Sequence, residues 1–271
     1  MQRRILIIDD HDDLATSLQE VFEHVGHHVE IIESRRGALA IDNIETYDIV
    51  ITDLDVPKLE RGDELDENAP VCLPTTLDSS HIGQHIKAFK ICASNFRRED
   101  FHEDELKNLV ATILDYKIRY VDHAETVADL HENIEFELPS AISLMHIVLE
   151  YLMKRVEKLG VIKPEESNLF VALDEAFVNA VKHGNKFDAN KLIRIAAEVS
   201  KTEAKFTIED EGEGFDVTNI PDPLDPQNLF KTSGRGVLFI YNIMEEVKYN
   251  DRGNRLTMVK KATDDRNPVI S

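Results

Sequence analysis

Three polar side chains recur along one helical stretch in the second half of the chain. Glu175, Asn179 and His183 are spaced four residues apart, so they lie on one stripe of a helix. A carboxylate one turn before an amide can polarise a nucleophile while the amide oxygen coordinates Mg²⁺. Taken alone, the stripe is equally compatible with the solvated polar face of a surface helix. The apolar flank that would be buried consists of Leu173, Ala176, Phe177, Ala180 and Val181.

Two glycine motifs follow the helix. Asp210 ends a predicted strand, and Gly212 and Gly214 then alternate with acidic residues. A carboxylate there can accept a hydrogen bond from an exocyclic amine, while the glycines let the backbone turn tightly against a flat base. The segment 234–236 then opens a helix whose first N–H groups can bind phosphate, and Arg235 adds a charge-assisted contact. The order and spacing of the three motifs predict a nucleotide site.

Together these segments resemble the N, G1 and G2 boxes of the Bergerat ATP-binding fold, which gyrase, heat-shock chaperone and histidine-kinase ATPases share. The resemblance covers roughly Asn133–Lys261. It implies ATP and Mg²⁺ as cofactors, with Asn179 as a Mg²⁺ ligand and Asp210 as the acceptor for the adenine amine. Asp216–Ser233 would form a lid over the phosphates. The remaining ATP-binding residues implied are His183, Gly212, Gly214, Gly234, Arg235, Gly236 and, on the last strand, Thr257.

The layout of this part favours one group within the fold. A histidine kinase needs a phosphoaccepting histidine on a dimerising helical hairpin, and there is no room for one before Ile134. The compact arrangement resembles the anti-sigma-factor serine/threonine kinases of partner-switching systems. That resemblance implies that Glu175 is the general base on a substrate hydroxyl. It also implies a STAS-type antagonist protein as substrate, a sigma factor as a further partner, and a homodimer.

Two other functions remain open at this point. The chain could be a non-catalytic ATP-binding module that sequesters a sigma factor or another regulator, with ATP as a structural ligand. It could also be an atypical histidine kinase, which would carry an acid-labile phosphate on its own chain. The general base implied at Glu175 favours chemistry over sequestration, since a structural ATP site does not need it.

The first half of the chain alternates strand and helix patterns. Continuous short apolar runs predict strands that are covered on both faces. The strands are predicted at Ile5–Ile8, Val29–Ile32, Ile49–Ile51 and Ala88–Ala93, and the helices between them at Leu14–Val25 and Ala38–Ile44. Alternation of this kind predicts a doubly wound parallel sheet.

Acidic residues follow two of these strands. Asp9 and Asp10 end the first strand and Asp53 ends the third, so three carboxylates are expected to converge at the carboxyl edge of the sheet. Such a cluster suits Mg²⁺ and can carry an acyl-phosphate on one carboxylate. The alternative is that strand-end acids simply cap the following helix, with Asp10, Asp12 and Asp13 as the candidates.

The residues after Asp53 decide between these alternatives. Leu54–Pro57 and then Gly62 resemble the pattern around the phosphoacceptor of two-component receiver domains. The resemblance implies Asp53 as phosphoacceptor, Asp9, Asp10 and Asp53 as metal ligands, Ser94 as the switch residue, and an upstream histidine kinase as donor. Receivers also carry a lysine at the end of their fifth strand, and Ile118–His123 holds none there.

Composition excludes several classes of partner. The chain has 31 Lys and Arg against 52 Asp and Glu, a net charge of −21, so it has no surplus of cations for nucleic acid or an anionic membrane surface. No apolar run is long enough to span a bilayer, and the N-terminus lacks a signal-peptide core, which predicts a cytoplasmic protein. The two cysteines, Cys72 and Cys92, form neither a metal-binding pattern nor a disulfide framework.

The sequence therefore predicts an α/β protein of two domains. Residues 1–130 are predicted to form an atypical receiver domain with a doubly wound parallel sheet, and residues 131–271 a Bergerat-type α/β sandwich that acts as the kinase. The predicted function is two-component and partner-switching signalling, in which phosphorylation of Asp53 regulates an ATP-dependent serine/threonine kinase acting on an anti-sigma-factor antagonist. The second domain is predicted to contain strands at Ile134–Leu138, Ile193–Val199, Lys205–Glu209, Glu246–Asn250 and Arg255–Lys260, with helices at 140–159, 165–183 and 236–245.

Overall fold

A computed structural model describes residues 2–11, 14–34, 37–38, 40–41, 43–56, 86–96, 101–123, 130–163, 168–217 and 235–262. Within these residues nine strands form one sheet in the order β2-β1-β3-β4-β5-β6-β7-β9-β8. The strands are β1 Arg4–Asp9, β2 His28–Ile32, β3 Ile49–Val56, β4 Ile86–Cys92, β5 His131–Pro139, β6 Leu192–Val199, β7 Glu203–Asp210, β8 Glu246–Tyr249 and β9 Arg255–Lys261. The helices are α1 Ala15–His24, α2 Glu103–Tyr116, α3 Ile142–Lys158, α4 Leu169–Asn179 and α5 Arg235–Ile243, with π-type turns at Lys117–Asp122 and Ala180–Gly184.

The helices contribute to one continuous apolar core on one face of the sheet. Phe89 of β4 and Phe136 of β5 both contact the ring of Tyr151 on α3, with centroid separations of 5.7 and 6.1 Å. These rings lie on both sides of the predicted boundary at residue 130. The core is therefore shared between the first and second parts of the chain.

The opposite face of the sheet changes character along the strand order. Across β1, β3 and β4 it carries a second, smaller apolar cluster that includes Leu6, Val50 and Cys92. Along β6 and β7 the buried and partly exposed residues alternate instead, as expected where one face is polar. Charged side chains, among them Lys90 and Arg194, line a groove of about 800 Å³ on that side. Strands with a continuous apolar pattern are thus buried on both faces of the sheet. Strands with an alternating pattern are buried on one face only.

Strand direction is where the structure departs from the prediction. β1 runs parallel to both β2 and β3, as predicted, but β4 runs antiparallel to β3. The prediction of an all-parallel sheet in the first part is therefore wrong. A buried strand such as Ile86–Cys92 has the same pattern of burial in either direction, so the sequence pattern predicts the strand without predicting its direction.

Most predicted elements of both parts are confirmed within a few residues. The exception is the predicted second helix, Ala38–Ile44, which lies partly outside the described residues and ends where a 3₁₀ turn, Ile44–Thr46, begins. β4 pairs in parallel with β5, so the sheet continues across the predicted domain boundary, and the division into two domains stays a prediction. None of the described helices is long and apolar enough to span a bilayer.

Candidate functional site

The predicted polar stripe lies on α4 and the turn that follows it. Asn179 is the last residue of α4, and the backbone then widens, with the Asn185 N–H donating to the Ala180 carbonyl at 2.8 Å. Turns of this π type are frequent at functional sites, because the extra residue re-aims the side chains around it. Asn179 and His183 both line a cavity of about 370 Å³, and Glu175 lies one turn earlier.

Asp210, at the end of β7, lies in the same cavity. Its Oδ1 accepts a hydrogen bond from the Gly212 N–H at 2.8 Å, which fixes the carboxylate and the start of the following loop. Burial raises the pKa of Asp210, while the Gly212 N–H and the cations Lys191 and Arg252 act in the opposite direction. A fixed, partly desolvated carboxylate is well suited to accept a hydrogen bond from an amine.

Glycines make this close packing possible. A Cβ atom at Gly184 would fall on the Asp210 carboxylate, and one at Gly212 would fall on the Gly184 carbonyl. Gly214 has a φ of +79°, a backbone conformation that favours glycine. Gly212 is therefore required where the loop passes the end of the helix, and Gly214 where it passes the Arg252 carbonyl.

Sequence reasoning missed Asn185, which joins the helix to this loop. Its side chain is fully buried, Nδ2 donates to the Leu192 carbonyl at 2.9 Å, and Oδ1 accepts from the Glu211 N–H at 2.9 Å. In the sequence, the only indication of this role is that an amide side chain directly follows His183 and Gly184, at the end of the predicted polar stripe.

Glu175 lies against the first turn of α5. A Cβ atom at Gly236 would fall on the Glu175 carboxylate, so the two helices touch at this point. The pKa of Tyr249 is raised to about 12, first by burial and then by the charges of Tyr241 and Glu175. The structure therefore brings the predicted base to the helix N-terminus predicted to bind phosphate.

Other predicted residues of this site are placed differently or not described. Thr257 faces Thr207 across the sheet, Oγ1 to Oγ1 at 3.4 Å, and lines the charged groove on the opposite face from the cavity. The prediction that Thr257 reaches the adenine is wrong, because neighbouring strand residues face opposite sides and Leu256 takes the cavity side. Gly234, the side chain of Arg235 and all but the first two residues of the predicted lid, Asp216–Ser233, lie outside the described residues.

In the first part, Asp53 lies inside a strand rather than at its end. β3 continues to Val56, and Asp53 pairs in register with Asp9 of β1. Asp53 is 2% exposed, and its Oδ2 lies 2.8 Å from the Lys117 ammonium. Burial raises the pKa of Asp53 to about 6, although Lys117 and Lys87 lower it. The expected strand-end carboxylate is instead a buried partner of a lysine.

The predicted cluster of three carboxylates is not assembled. Asp9 caps α1, with Oδ2 accepting from the Leu14 and Ala15 N–H groups at 3.0 and 2.9 Å. Asp10 accepts instead from the Asp55 N–H at 3.1 Å. Within the described residues, no group of three or more His, Cys, Asp or Glu side chains could hold a metal ion. The capping candidate Asp10 does not bind the first turn of α1, and Asp12 and Asp13 lie outside the described residues, so the acid found there is Asp9.

The lysine beside Asp53 is Lys117, in the turn after α2. It lies just before Ile118–His123, the segment in which the sequence predicts the end of a strand, and it follows a helix instead. Ser94 lies at the other end of the sheet from Asp53, since β4 is antiparallel and pairs Phe89 with Asp53. Five residues of extended chain separate Phe89 from Ser94, about 17 Å. The prediction that Ser94 switches toward Asp53 is wrong for this reason.

Comparison with known proteins finds similarity in the second part of the chain. Residues 138–260 match the histidine kinase-like ATPase domain family. Over 135 residues the chain is 27% identical to the serine-protein kinase RsbW of Staphylococcus epidermidis, a match that covers 47% of this chain and 85% of that protein. The serine-protein kinase RsbW of Staphylococcus aureus strain JH9 is 26% identical over the same length and coverage. This homology supports protein serine/threonine kinase activity for the chain.

Proposed function

We propose that the chain is an ATP-dependent protein serine/threonine kinase of a partner-switching system. The observation that carries the proposal is the position of Glu175, whose carboxylate lies against the N-terminal turn of α5, one helical turn from the cavity residue Asn179. A base, a phosphate-binding helix end and a nucleotide cavity are thereby adjacent. The similarity to serine-protein kinases supports the same conclusion.

The described residues fit ATP and Mg²⁺. Asp210 lines the cavity of about 370 Å³, and Gly184 and Gly212 allow the backbone to pack closely around its carboxylate. Asp210 would accept a hydrogen bond from the adenine amine, and Asn179 would ligate Mg²⁺. Bound Mg²⁺ neutralises charge that develops on the phosphates during transfer.

Glu175 supplies the proton acceptor in the proposed reaction. It takes the proton from a serine or threonine hydroxyl of the substrate protein. The hydroxyl oxygen forms a bond to the γ-phosphorus while the bond from that phosphorus to the bridging oxygen breaks, leaving ADP. The backbone N–H groups at the start of α5 stabilise the anion on the phosphates.

The proposed substrate is a STAS-type antagonist protein. Phosphorylation of this antagonist would control a sigma factor, which is the further partner. The kinase is proposed to act as a homodimer.

The test is transfer from γ-labelled ATP with Mg²⁺ to candidate antagonist proteins. We expect acid-stable label on the antagonist, and Asp210→Asn is expected to reduce it by weakening ATP binding. ATP binding with no transfer to any partner would indicate the sequestering module instead, and acid-labile label on the chain itself an atypical histidine kinase.

We also propose that the first part regulates the kinase, and a buried ion chain supports this. The Lys117 ammonium lies 2.8 Å from Asp53 and 3.2 Å from Asp122, and Asp122 lies 3.2 Å from the Arg155 guanidinium on α3. Arg155 in turn donates from Nε to Glu132 on β5 at 2.8 Å. All five side chains are buried. A change of charge at Asp53 therefore acts on a helix that packs against α4, which bears Glu175.

Phosphorylation of Asp53 by an upstream histidine kinase is the proposed signal. Because Asp53 is buried against Lys117, the pair must open before the carboxylate can react. Incubation with labelled acetyl phosphate should label the wild type and leave Asp53→Asn unlabelled. Equal label on both proteins would place the acceptor elsewhere.

The raised pKa of Asp53 predicts a specific pH dependence of stability. Between about pH 6 and pH 4 the folded carboxyl takes up a proton that the unfolded one does not, so the wild type gains about 1.4 kcal/mol per pH unit relative to Asp53→Asn as the pH falls. Above about pH 6 the difference is constant. Urea unfolding of both proteins across this range measures it, with Lys117, Lys87 and Asp9 as the charged groups that face Asp53. Parallel stability curves would mean that Asp53 does not titrate there.

A further inference from the structure

The turn between β8 and β9 packs against the loop that follows Asp210. This turn, Asn250–Asn254, contributes Gly253 and Asn254 to the lining of the nucleotide cavity. The Phe215 N–H donates to the Arg252 carbonyl at 3.1 Å, and the Arg252 guanidinium donates to the Gly212 carbonyl at 2.8 Å. Two hydrogen bonds thus tie Arg252 to both ends of the Gly212–Phe215 loop.

Asn254 holds the start of the same loop. Its backbone carbonyl accepts from the Asp210 N–H at 3.0 Å, and its Nδ2 donates to the Asp210 carbonyl at 2.7 Å. Asn250 fixes Asn254 in turn, donating from Nδ2 to the Asn254 Oδ1 at 3.0 Å and accepting from the Asn254 N–H at 3.1 Å. Asn254 is buried, so these hydrogen bonds are shielded from water.

The two segments approach too closely for side chains at the contact. A Cβ atom at Gly214 would fall on the Arg252 carbonyl, and one at Gly253 would fall on the Phe215 carbonyl. Both glycines have positive φ, +79° and +77°. The Phe215 ring also packs edge-to-face on Tyr249, the last residue of β8, at a centroid separation of 5.2 Å. The turn and the loop therefore form one rigid unit.

We propose that Arg252 and Asn254 are positioning residues for ATP, which hold the Asp210–Phe215 loop in the conformation that binds the base. The turn is then a third wall of the cavity, beside the end of α4 and the loop itself. Neither residue touches the reacting atoms, so their effect falls on ATP affinity and not on the transfer step. This inference rests on the proposed function, since it specifies how that ATP site is built.

The test compares Arg252→Ala with Arg255→Ala, which removes the same side chain three residues later. Arg255 follows the turn, is half exposed and lies 3.9 Å from Glu209, away from the loop. Loss of one charge-assisted hydrogen bond predicts an ATP Kd raised about tenfold in Arg252→Ala and unchanged in Arg255→Ala. The KM for ATP should rise in parallel while kcat at saturating ATP stays within twofold, and Arg252→Lys should keep most of the affinity.

Several outcomes would overturn the inference. An unchanged Kd in Arg252→Ala would mean that the loop is held without the guanidinium, and a fall in kcat at saturating ATP would mean that Arg252 acts on the transfer step. A Tm that falls in Arg252→Ala with an ATP Kd no different from that of Arg255→Ala would indicate a purely structural role. If the wild type itself bound no ATP, the proposed function would fail, and that result is distinguishable from all of these.

Discussion

Replacing Glu175 by glutamine is expected to lower phosphate transfer by a factor of about 10²–10⁴, the usual contribution of a positioned general base. The amide has nearly the same shape but accepts no proton from the substrate hydroxyl. Its position against Gly236 is retained, so the contact between α4 and α5 should persist. ATP affinity is therefore expected to stay within about twofold of the wild type, because the cavity itself is lined one turn further along by Asn179.

The measurement is the single-turnover rate of label transfer at saturating ATP, together with the Kd for ATP. Asp174→Asn is the matched control, since it removes the neighbouring carboxylate on the same helix, which is more than a third exposed and near His146. This control should transfer phosphate at the wild-type rate. Transfer by Glu175→Gln at the wild-type rate would remove the base from the mechanism, and loss of ATP binding would make Glu175 a structural residue of the cavity.

Replacing Arg155 by methionine is expected to lower the free energy of unfolding by about 3–5 kcal/mol. The substitution leaves Asp122 and Glu132 buried without the cation that pairs with both. Methionine fills part of the space of the arginine stem, so the loss comes from the removed cation more than from a cavity, although Asp122 keeps Lys117 at 3.2 Å. Urea denaturation of the full chain at pH 7.5 measures the change.

Arg194→Met provides the comparison for this substitution. Arg194 also pairs with two carboxylates, Glu137 at 3.2 Å and Glu211 at 3.3 Å, but its side chain is 41% exposed. Exposed pairs contribute about 0–1 kcal/mol, and because Glu137 is itself buried this variant should lose somewhat more than that and clearly less than Arg155→Met. If Arg155→Met and Arg194→Met lowered the free energy of unfolding equally, burial would not be what makes the ion chain important for stability.

Hydrophobic periodicity predicted most elements of this fold, but it did not predict α2 or how the elements are joined. The strands β1, β3 and β4 are covered on both faces, although β4 contains Lys87 and Lys90, and the alternating pattern of β6 and β7 is a one-sided surface. The direction of β4 was not predictable, because a pattern of buried side chains is the same when the strand is reversed. Reversal of this one strand moved Ser94 away from Asp53.

The site was predictable where short segments carry several polar residues at fixed spacing. The stripe on α4 and the Asp210–Gly214 loop come together as the sequence indicates. What sequence reasoning could not find are contacts between distant segments, such as Lys117 with Asp53 and Arg252 with Gly212. Each of these residues looks like an ordinary surface cation in its own segment, and only the tertiary structure gives it a partner.

The pairing of β4 with β5 has a consequence for how such a protein can be divided. Cutting the chain at residue 130 would remove β4 from one side of β5. The unpaired N–H and C=O groups of β5 could then pair with a strand of another molecule, which promotes aggregation. The Tyr151 ring would lose Phe89 at the same time. Moving the cut to the other side of β4 would open its pairing with β3 instead, so the second part of the chain cannot be separated from the first without exposing the edge of a strand.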